Sequence, residues 1–170
     1  SPGNQCPGPY CLRDIGPAGG IIFYDKGSYS DGWRYLEVAP ASTEWTNIQW
    51  GKYGTLVGGT GRAIGTGKNN TDLIYAKLQE APADSNRAAQ LCKALIHNGY
   101  NDWFLPSIDE LKKIYINLVS YGVGDISNAY YWSSSEGDLY YVSSWYSSSN
   151  FEYLADAKTS QRSVRAIRAF

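Results

Sequence analysis

The sequence contains no methionine, one histidine and three cysteines, and acidic and basic residues make up only 18% of its 170 positions. A formal net charge of -1 argues against a nucleic-acid-binding surface, which requires clustered Lys and Arg. No apolar run reaches the length of a membrane span, and no signal peptide is visible. The length suits one domain with a hydrophobic core.

Few residues are suited to binding metal. Cys6 and Cys11 could close a small disulfide loop in an oxidising compartment, or Cys6 could carry the lipid of a lipoprotein. Cys92 falls in a helical pattern and is predicted to be buried. Without a Cys-x-x-Cys pair, the sequence predicts no zinc site. Asn101 and Asp102 are residue types that bind calcium, but no second acidic cluster accompanies them, so we expect no metal.

The motifs that could support catalysis are incomplete. The glycine-rich run 58–68 lacks the spacing of a phosphate-binding loop and of a dinucleotide fingerprint. His97 lies near a predicted helix end, where a cation needs no further role. Ser133 and its neighbours lack the glycines of a nucleophile elbow. Glu136 and Asp138 could form a carboxylate pair, but exposed polar groups are the simpler interpretation. We therefore expect no enzyme activity and no cofactor.

The order of predicted elements indicates an α+β protein. The capping-box pattern from Ser107 to Glu110 marks the start of one helix. We also expect Arg165 and Arg168 to pair with Asp109 or Glu110. The first predicted elements are strands over 21–24 and 33–39 with a hairpin-like connection over 25–32, followed by a long structured loop over 41–66 with short strands at most. Three helices are predicted: one from the cap region 69–72 to Pro82, a second from Asp84 or Ser85 to Asn98, and a third over 107–119. Strands over 131–135, 142–147 and 163–170 complete the chain, and the first and last strands are expected to pair.

Tyrosine and serine are concentrated between positions 128 and 153. Six of the 15 Tyr residues lie there, although a folding core would use Val, Ile and Leu, which have no hydroxyl group to satisfy. Tyr with Ser and Asn is typical of antibody-like binding loops, where Tyr supplies stiff contact area and Ser supplies adaptable hydrogen bonds. The stretch is therefore interpreted as a recognition surface, with an internally packed sheet face as the alternative.

Five blocks of sequence, at residues 16–24, 32–37, 99–107, 131–136 and 163–170, carry a resemblance to a known family. They resemble the signature blocks of a bacterial C-type-lectin-like family, the variable proteins of diversity-generating retroelements. The resemblance implies a C-type lectin-like fold of the formylglycine-generating-enzyme type and display on the bacterial cell surface, in the outer membrane, as a lipoprotein.

In such proteins, reverse transcription directed at adenines rewrites chosen codons near the end of the gene. The resemblance implies fixed positions at 132–136, at 164–170, at Trp145 and at Lys158. It also implies an irregular segment over 1–14 and one domain over 15–170, with a variable region at about 137–162. The implied ligand-contacting positions, here called the variable surface, are Asp138, Tyr140, Tyr141, Ser144, Tyr146, Ser148, Asn150, Tyr153, Asp156, Ser160 and Arg162.

The expected function is that of a surface-displayed receptor for an unknown protein or cell-surface ligand, with membrane contact only through a possible lipid anchor outside or at the N-terminus. The alternative is a bacterial adhesin or glycan-binding domain of fixed sequence, with sugars stacking on Trp132, Trp145 or exposed Tyr. Two differences from related proteins argue against catalysis of the formylglycine-generating type and against calcium-dependent sugar binding. The last cysteine is Cys92, whereas formylglycine-generating enzymes use a later pair, and the calcium motifs of lectins are missing.

Overall fold

The computed structural model of the chain describes residues 6–170 and has an α+β architecture. Its helices are α1 (Gly67–Gln79), α2 (Ala88–Ala94) and α3 (Ile108–Asn117). Its strands are β1 (Ile21–Ser30), β2 (Trp33–Val38), β3 (Trp45–Ile48), β4 (Tyr130–Glu136), β5 (Tyr141–Tyr146), β6 (Phe151–Ala157), β7 (Arg162–Val164) and β8 (Ile167–Ala169).

Two sheets share these strands. The smaller sheet has the order β1–β2–β8, and the larger has the order β3–β7–β4–β5–β6. Neighbouring strands run antiparallel except β4 and β7, which pair in parallel at Tyr131 and Ser163. Only Arg165 and Ala166 separate β7 from β8, so the end of the chain passes directly from one sheet to the other.

The β4–β5 pair has a hydrophobic core on each face. Trp132 packs with Trp50 and Val142, together with residues of α1 and α2. Tyr131 and Trp145, which face each other across the two strands, pack with the apolar side of α3. Successive strand residues point to opposite faces, so consecutive aromatic residues can serve both cores. The center of the larger sheet is therefore fixed from both sides.

The third predicted helix is confirmed at its start. Ser107 Oγ accepts a hydrogen bond from the Glu110 amide at 3.3 Å, and Glu110 Oε1 accepts one from the Ser107 amide at 2.7 Å. This reciprocal arrangement satisfies two amides that the helix itself cannot satisfy. Burial raises the pKa of Glu110, and the amide donors around its carboxylate oppose that shift. Glu110 thus belongs to the framework of the fold.

The predicted starts of the other two helices are wrong. α1 begins earlier, at Gly67, so Asn70 and Thr71 lie inside the helix and are buried. The Asn70 side chain is used elsewhere, because it accepts from the Gly61 amide and donates to the Gly61 carbonyl, both at 2.8 Å. α2 begins at Ala88, later than the predicted cap at Asp84 or Ser85.

Two strand predictions need correction, and one strand was not predicted. The stretch 163–170 is split between β7 and β8, which belong to different sheets. β8 pairs with β2 and does not pair with β1, so the first and last predicted strands are neighbours of the same strand. β6 was not predicted; its residues are mostly exposed, and Leu154 interrupts the alternation of apolar and polar residues that begins at Phe151 and Glu152.

The N-terminal part of the described chain carries no helix or strand from residue 6 to residue 14. Cys6 and Cys11 form a disulfide, and a lipid on the Cys6 thiol is incompatible with this bond. Cys92 is buried, as predicted. Between residues 6 and 170, none of the helices is both long and apolar enough to cross a membrane.

Candidate functional site

The hairpins formed by β4, β5 and β6 carry most of the variable surface. β5 pairs antiparallel with β4 on one side and with β6 on the other. Tyr130, Tyr146 and Phe151 lie side by side across the three strands, because Tyr146 is the register partner of both other residues. Cross-strand partners on one face are close enough for their side chains to interact.

A first aromatic cluster, here called the tyrosine cluster, consists of Tyr130, Tyr146, Tyr153 and Arg162. The Tyr130 ring lies 4.7 Å from the Tyr146 ring and 6.4 Å from the Tyr153 ring, measured between centroids. The Arg162 guanidinium lies 4.8 Å from the Tyr130 centroid, within the range of a cation–π contact. Three of these residues were predicted as variable, and the structure brings them together. The sequence analysis did not include Tyr130 among the contact positions.

A second aromatic cluster, here called the loop cluster, joins Tyr140 and Tyr141 to Tyr53. The rings of Tyr53 and Tyr140 lie 4.9 Å apart, and those of Tyr140 and Tyr141 lie 6.2 Å apart. Tyr140 is 41% exposed and Tyr141 is 37% exposed, so both offer ring surface to a ligand. Tyr53 is an additional candidate contact that sequence reasoning missed, because it lies far away in the long 41–66 loop.

Asp138 shapes the turn before these tyrosines. Its Oδ1 accepts hydrogen bonds from the amides of Tyr140 at 2.7 Å and Tyr141 at 2.9 Å. An aspartate that bonds amides two and three residues later stabilises a tight turn. Asp138 is exposed, so it can contact a ligand, but its carboxylate already has a local structural role.

Ser144 and Asp156 do not lie on the surface. Both are buried, and Ser144 Oγ donates to Asp156 Oδ2 at 2.7 Å. The same carboxylate accepts from Arg162 at 2.8 and 3.1 Å. In this conformation the Asp156 carboxylate holds the Arg162 guanidinium through these two hydrogen bonds. The buried side chains of Ser144 and Asp156 do not reach a ligand. The prediction that Ser144 and Asp156 contact a ligand does not agree with their burial.

The remaining predicted positions lie at turns. Ser148 is exposed, and Ser160 is half-buried. Asn150 has a φ of 56°, a left-handed conformation that Asn adopts more readily than most residues. Its side-chain oxygen also accepts from Trp145 Nε1 at 2.8 Å. A different residue at position 150 would therefore disturb both the turn and the indole.

A buried ion pair links the hairpins to the long loop. Lys158 Nζ lies 2.6 Å from Glu136 Oε2, and the two side chains are 0% and 3% exposed. Lys158 also donates to the Thr55 carbonyl at 2.7 Å, and Glu136 accepts from the amides of Val57 and Gly58 at 2.9 Å each. These bonds hold the segment that carries Tyr53 against the variable surface. Lys158 and Glu136 are two of the positions expected to be fixed.

Three successive serines attach β4 to its surroundings. Ser133 Oγ donates to the Ser143 carbonyl, Ser134 Oγ accepts from the Asn70 amide group at 3.1 Å, and Ser135 Oγ donates to the Gly61 carbonyl at 2.9 Å. All three serines are buried. Buried hydroxyl groups need such partners. The serines of β4 are therefore structural and differ in role from the exposed serines of the later turns.

Glu152 is a second structural carboxylate within the variable region. It accepts from Arg62 at 2.7 Å, Lys112 at 2.8 Å and Ser143 at 2.8 Å. Burial alone would raise the pKa of Glu152, but the hydrogen bonds from these three donors and the charge of Lys112 outweigh it, and the pKa is lowered. The carboxylate therefore remains ionised and holds β6 against α3 and the loop before α1.

The two C-terminal arginines have other partners than predicted. Arg165 pairs with Glu44 at 3.1 Å, and Arg168 pairs with Glu37 at 2.9 Å and with Asp102 at 2.8 Å. The predicted pairing with Asp109 or Glu110 is wrong. Both arginines are buried and tie the end of the chain to the start of the fold, so they do not form a site for an anionic ligand.

The site thus consists of exposed and half-buried aromatic side chains on a hydrogen-bonded base. Among the residues from 6 to 170, no group of three or more His, Cys, Asp and Glu side chains is arranged to hold a metal ion. Neither the protein-family models nor the curated proteins include a match to this chain.

Proposed function

We propose that this protein is a surface-displayed receptor whose binding site is diversified by retroelement-driven mutagenesis of C-terminal codons. One observation carries the proposal. Tyr140, Tyr141 and Tyr153 are each about two-fifths exposed, whereas the neighbouring Trp132 and Trp145 are at most 1% exposed. Positions that would vary under the proposal and positions that would stay fixed therefore alternate within the same hairpins.

This alternation suits a binding surface that must change while the fold persists. Substitution of an exposed side chain usually changes the free energy of unfolding by less than about 0.5 kcal/mol. Truncation of a buried Trp costs about 3–5 kcal/mol. Tyr rings supply contact area at low entropic cost, and Ser and Asn supply adaptable hydrogen bonds. Repeated change of the exposed positions is therefore compatible with a constant base.

Under the same proposal, the chain adopts a C-type lectin-like fold of the formylglycine-generating-enzyme type. The sequence blocks that suggest it resemble the Treponema variable protein. The joining of β1, β2 and β8 in one sheet, in which the last strand of the domain pairs with its second strand, supports this fold. Display on the bacterial outer membrane as a lipoprotein, binding of a protein or cell-surface ligand, and the lack of a catalytic role are parts of the proposal.

The competing function is that of a fixed-sequence adhesin or glycan-binding domain. Sugar stacking on Trp132 or Trp145 is excluded in this conformation because both indoles are buried and donate hydrogen bonds inside the protein. Stacking on exposed Tyr remains compatible with that function. The two functions differ in whether the codons of the variable surface change within a population.

Deep amplicon sequencing of the region encoding residues 128–170, from a grown population of the source organism, tests the proposal. We expect changes concentrated at codons for exposed positions such as Tyr140, Tyr141 and Tyr153, with those for Trp132, Trp145 and Arg165 unchanged. The codons for residues 15–127 of the same gene provide the matched control for sequencing error. Uniform sequence in a population with an active retroelement would contradict the proposal and favour the fixed binder.

A further inference from the structure

A polar cavity of about 410 Å³ opens beside the loop cluster. The segment around Lys52 and Tyr53, the C-terminal end of α1 with Lys77, the chain leading to Arg87, and Thr159 line this cavity. Its volume lies within the range of about 300–1,000 Å³ that is typical of small-molecule sites. Apart from Thr159, these residues lie outside the region 137–162. The cavity is thus separate from the proposed variable positions, although Tyr53 connects the two.

The charges around the cavity do not cancel. Three cationic side chains and two carboxylates line it. Lys77 lies 2.9 Å from Glu80, and Arg87 lies 3.7 Å from Asp84. Lys52 donates to the backbone carbonyl of Glu80, and no carboxylate of the described residues lies within ion-pair distance of its ammonium group. The cavity therefore has one excess positive charge, and Lys52 supplies it.

The Arg87 guanidinium is incompletely bonded. Its Nε is buried and has no hydrogen-bond partner, and the 3.7 Å to Asp84 is too long for a hydrogen bond. A guanidinium has five donors in a fixed plane and pairs best with a carboxylate through two parallel bonds. Its side chain is 28% exposed and Arg87 lines the cavity, so a ligand there can reach this side chain. The pairing that it lacks inside the protein is one that a ligand carboxylate would complete.

The other lining residues suit a ligand rich in hydroxyls. Thr55, Thr159 and Gln49, whose side chains carry hydroxyl and amide groups, also line the cavity. Tyr53 is 52% exposed, and its contact with Tyr140 stabilises the ring at the cavity edge. An aromatic face beside polar side chains can pack against the C–H face of a sugar ring. We infer that this cavity binds a sugar acid, a pyranose that carries one carboxylate, with Lys52 and Arg87 binding the carboxylate and Tyr53 packing on the ring.

Titration of the ¹⁵N-labelled protein with sodium glucuronate, followed by amide chemical shifts, tests this site. We expect saturable shifts at Tyr53, Thr55 and Arg87, with a dissociation constant on the order of 1 mM for so small a ligand. Glucose, which has the same ring without the charge, should bind at least about tenfold more weakly. Propionate, which has one carboxylate without a ring, should also bind more weakly. Equal shifts from all three compounds, or no shifts with glucuronate, would overturn the inference.

Variants separate this cavity from the proposed variable surface. Lys52→Gln should weaken glucuronate binding about tenfold, since one charge-assisted contact is lost. Lys93→Gln is the matched control, because Lys93 pairs with Asp72 away from the cavity and its loss should leave binding unchanged. Tyr146→Ser alters the tyrosine cluster and should also leave binding unchanged, whatever its effect on a receptor ligand. Equal losses in Lys52→Gln and Lys93→Gln would refute the assignment of Lys52.

Discussion

Replacing Glu136 by Gln tests whether the buried ion pair holds the long loop against the hairpins. All three contacts of this carboxylate are made with donors that an amide cannot satisfy equally well. The amides of Val57 and Gly58 lie at 2.9 Å and Lys158 Nζ lies at 2.6 Å. In the Glu136→Gln variant, the side-chain NH₂ must face at least one of these donors, and the Lys158 ammonium stays buried without a counter-charge.

The expected cost is large because the pair is almost completely removed from water. Removing one partner of a buried ion pair costs about 3–5 kcal/mol, most of which comes from the charge left behind. For a protein of this size, each kcal/mol lowers Tm by about 2–4 °C, so the variant should unfold roughly 6–20 °C below the wild type. Lys77→Gln, which breaks the exposed pair with Glu80, should cost at most about 1 kcal/mol.

Urea unfolding followed by circular dichroism measures these differences, and Lys158→Met completes the test. The double variant Glu136→Gln with Lys158→Met should be more stable than the sum of the single losses predicts, because no buried charge remains unpaired. A cost below about 1 kcal/mol for Glu136→Gln would refute the reasoning. It would mean that water reaches the pair or that the loop is held by other contacts.

Two further predictions concern the variable region. Replacing Tyr140, Tyr141 and Tyr146 together by Ser should lower Tm by less than about 5 °C and should abolish binding of a receptor ligand. The rings of Tyr140 and Tyr141 are exposed and that of Tyr146 is only half-buried, so they contribute little to stability. In a parallel thermal melt, Trp145→Ala should lower Tm by about 6–20 °C, and a fall of that size in the triple variant would contradict the surface assignment. The lowered pKa of Glu152 contributes stability that is fully present above its ordinary pKa of 4.5 and is lost as the pH falls toward the folded value. The urea-unfolding deficit of Glu152→Gln should therefore be present at pH 7 and shrink near pH 3, and an equal deficit at both pH values would contradict the assigned role of the carboxylate.

Local sequence signals predicted the local parts of this structure. The start of α3 depends on Ser107 and Glu110, three residues apart, and both hydrogen bonds of the capping box are present. The hairpin of β1 and β2 was also predicted, since its strands are adjacent in sequence and rich in aromatic and β-branched residues. The Tyr-rich stretch was recognised from composition, and three of its Tyr residues are exposed.

Long-range partners could not be predicted in the same way. Arg168 bonds Glu37 across 131 positions, and nothing near either residue in sequence indicates the other. Ser144 and Asp156 bond each other, and Asp156 also bonds Arg162. These bonds form only when β5 and β6 are paired, so the burial of the two residues could not be predicted from sequence. β6 itself was missed because Leu154 interrupts its alternation of apolar and polar residues. Tyr53 joins the site only through the fold of the long loop.

The loop that carries Tyr53 is held mainly through its backbone. Thr55 contributes its carbonyl group, and Val57 and Gly58 contribute their amide groups, so none of these bonds depends on which side chains the loop bears. Laboratory libraries could therefore randomise positions such as Tyr53 and Leu56 without removing the anchor. Combined with changes in the hairpins, this would give a binding scaffold with two variable segments, one of which lies outside the C-terminal codons that the proposed mutagenesis would change.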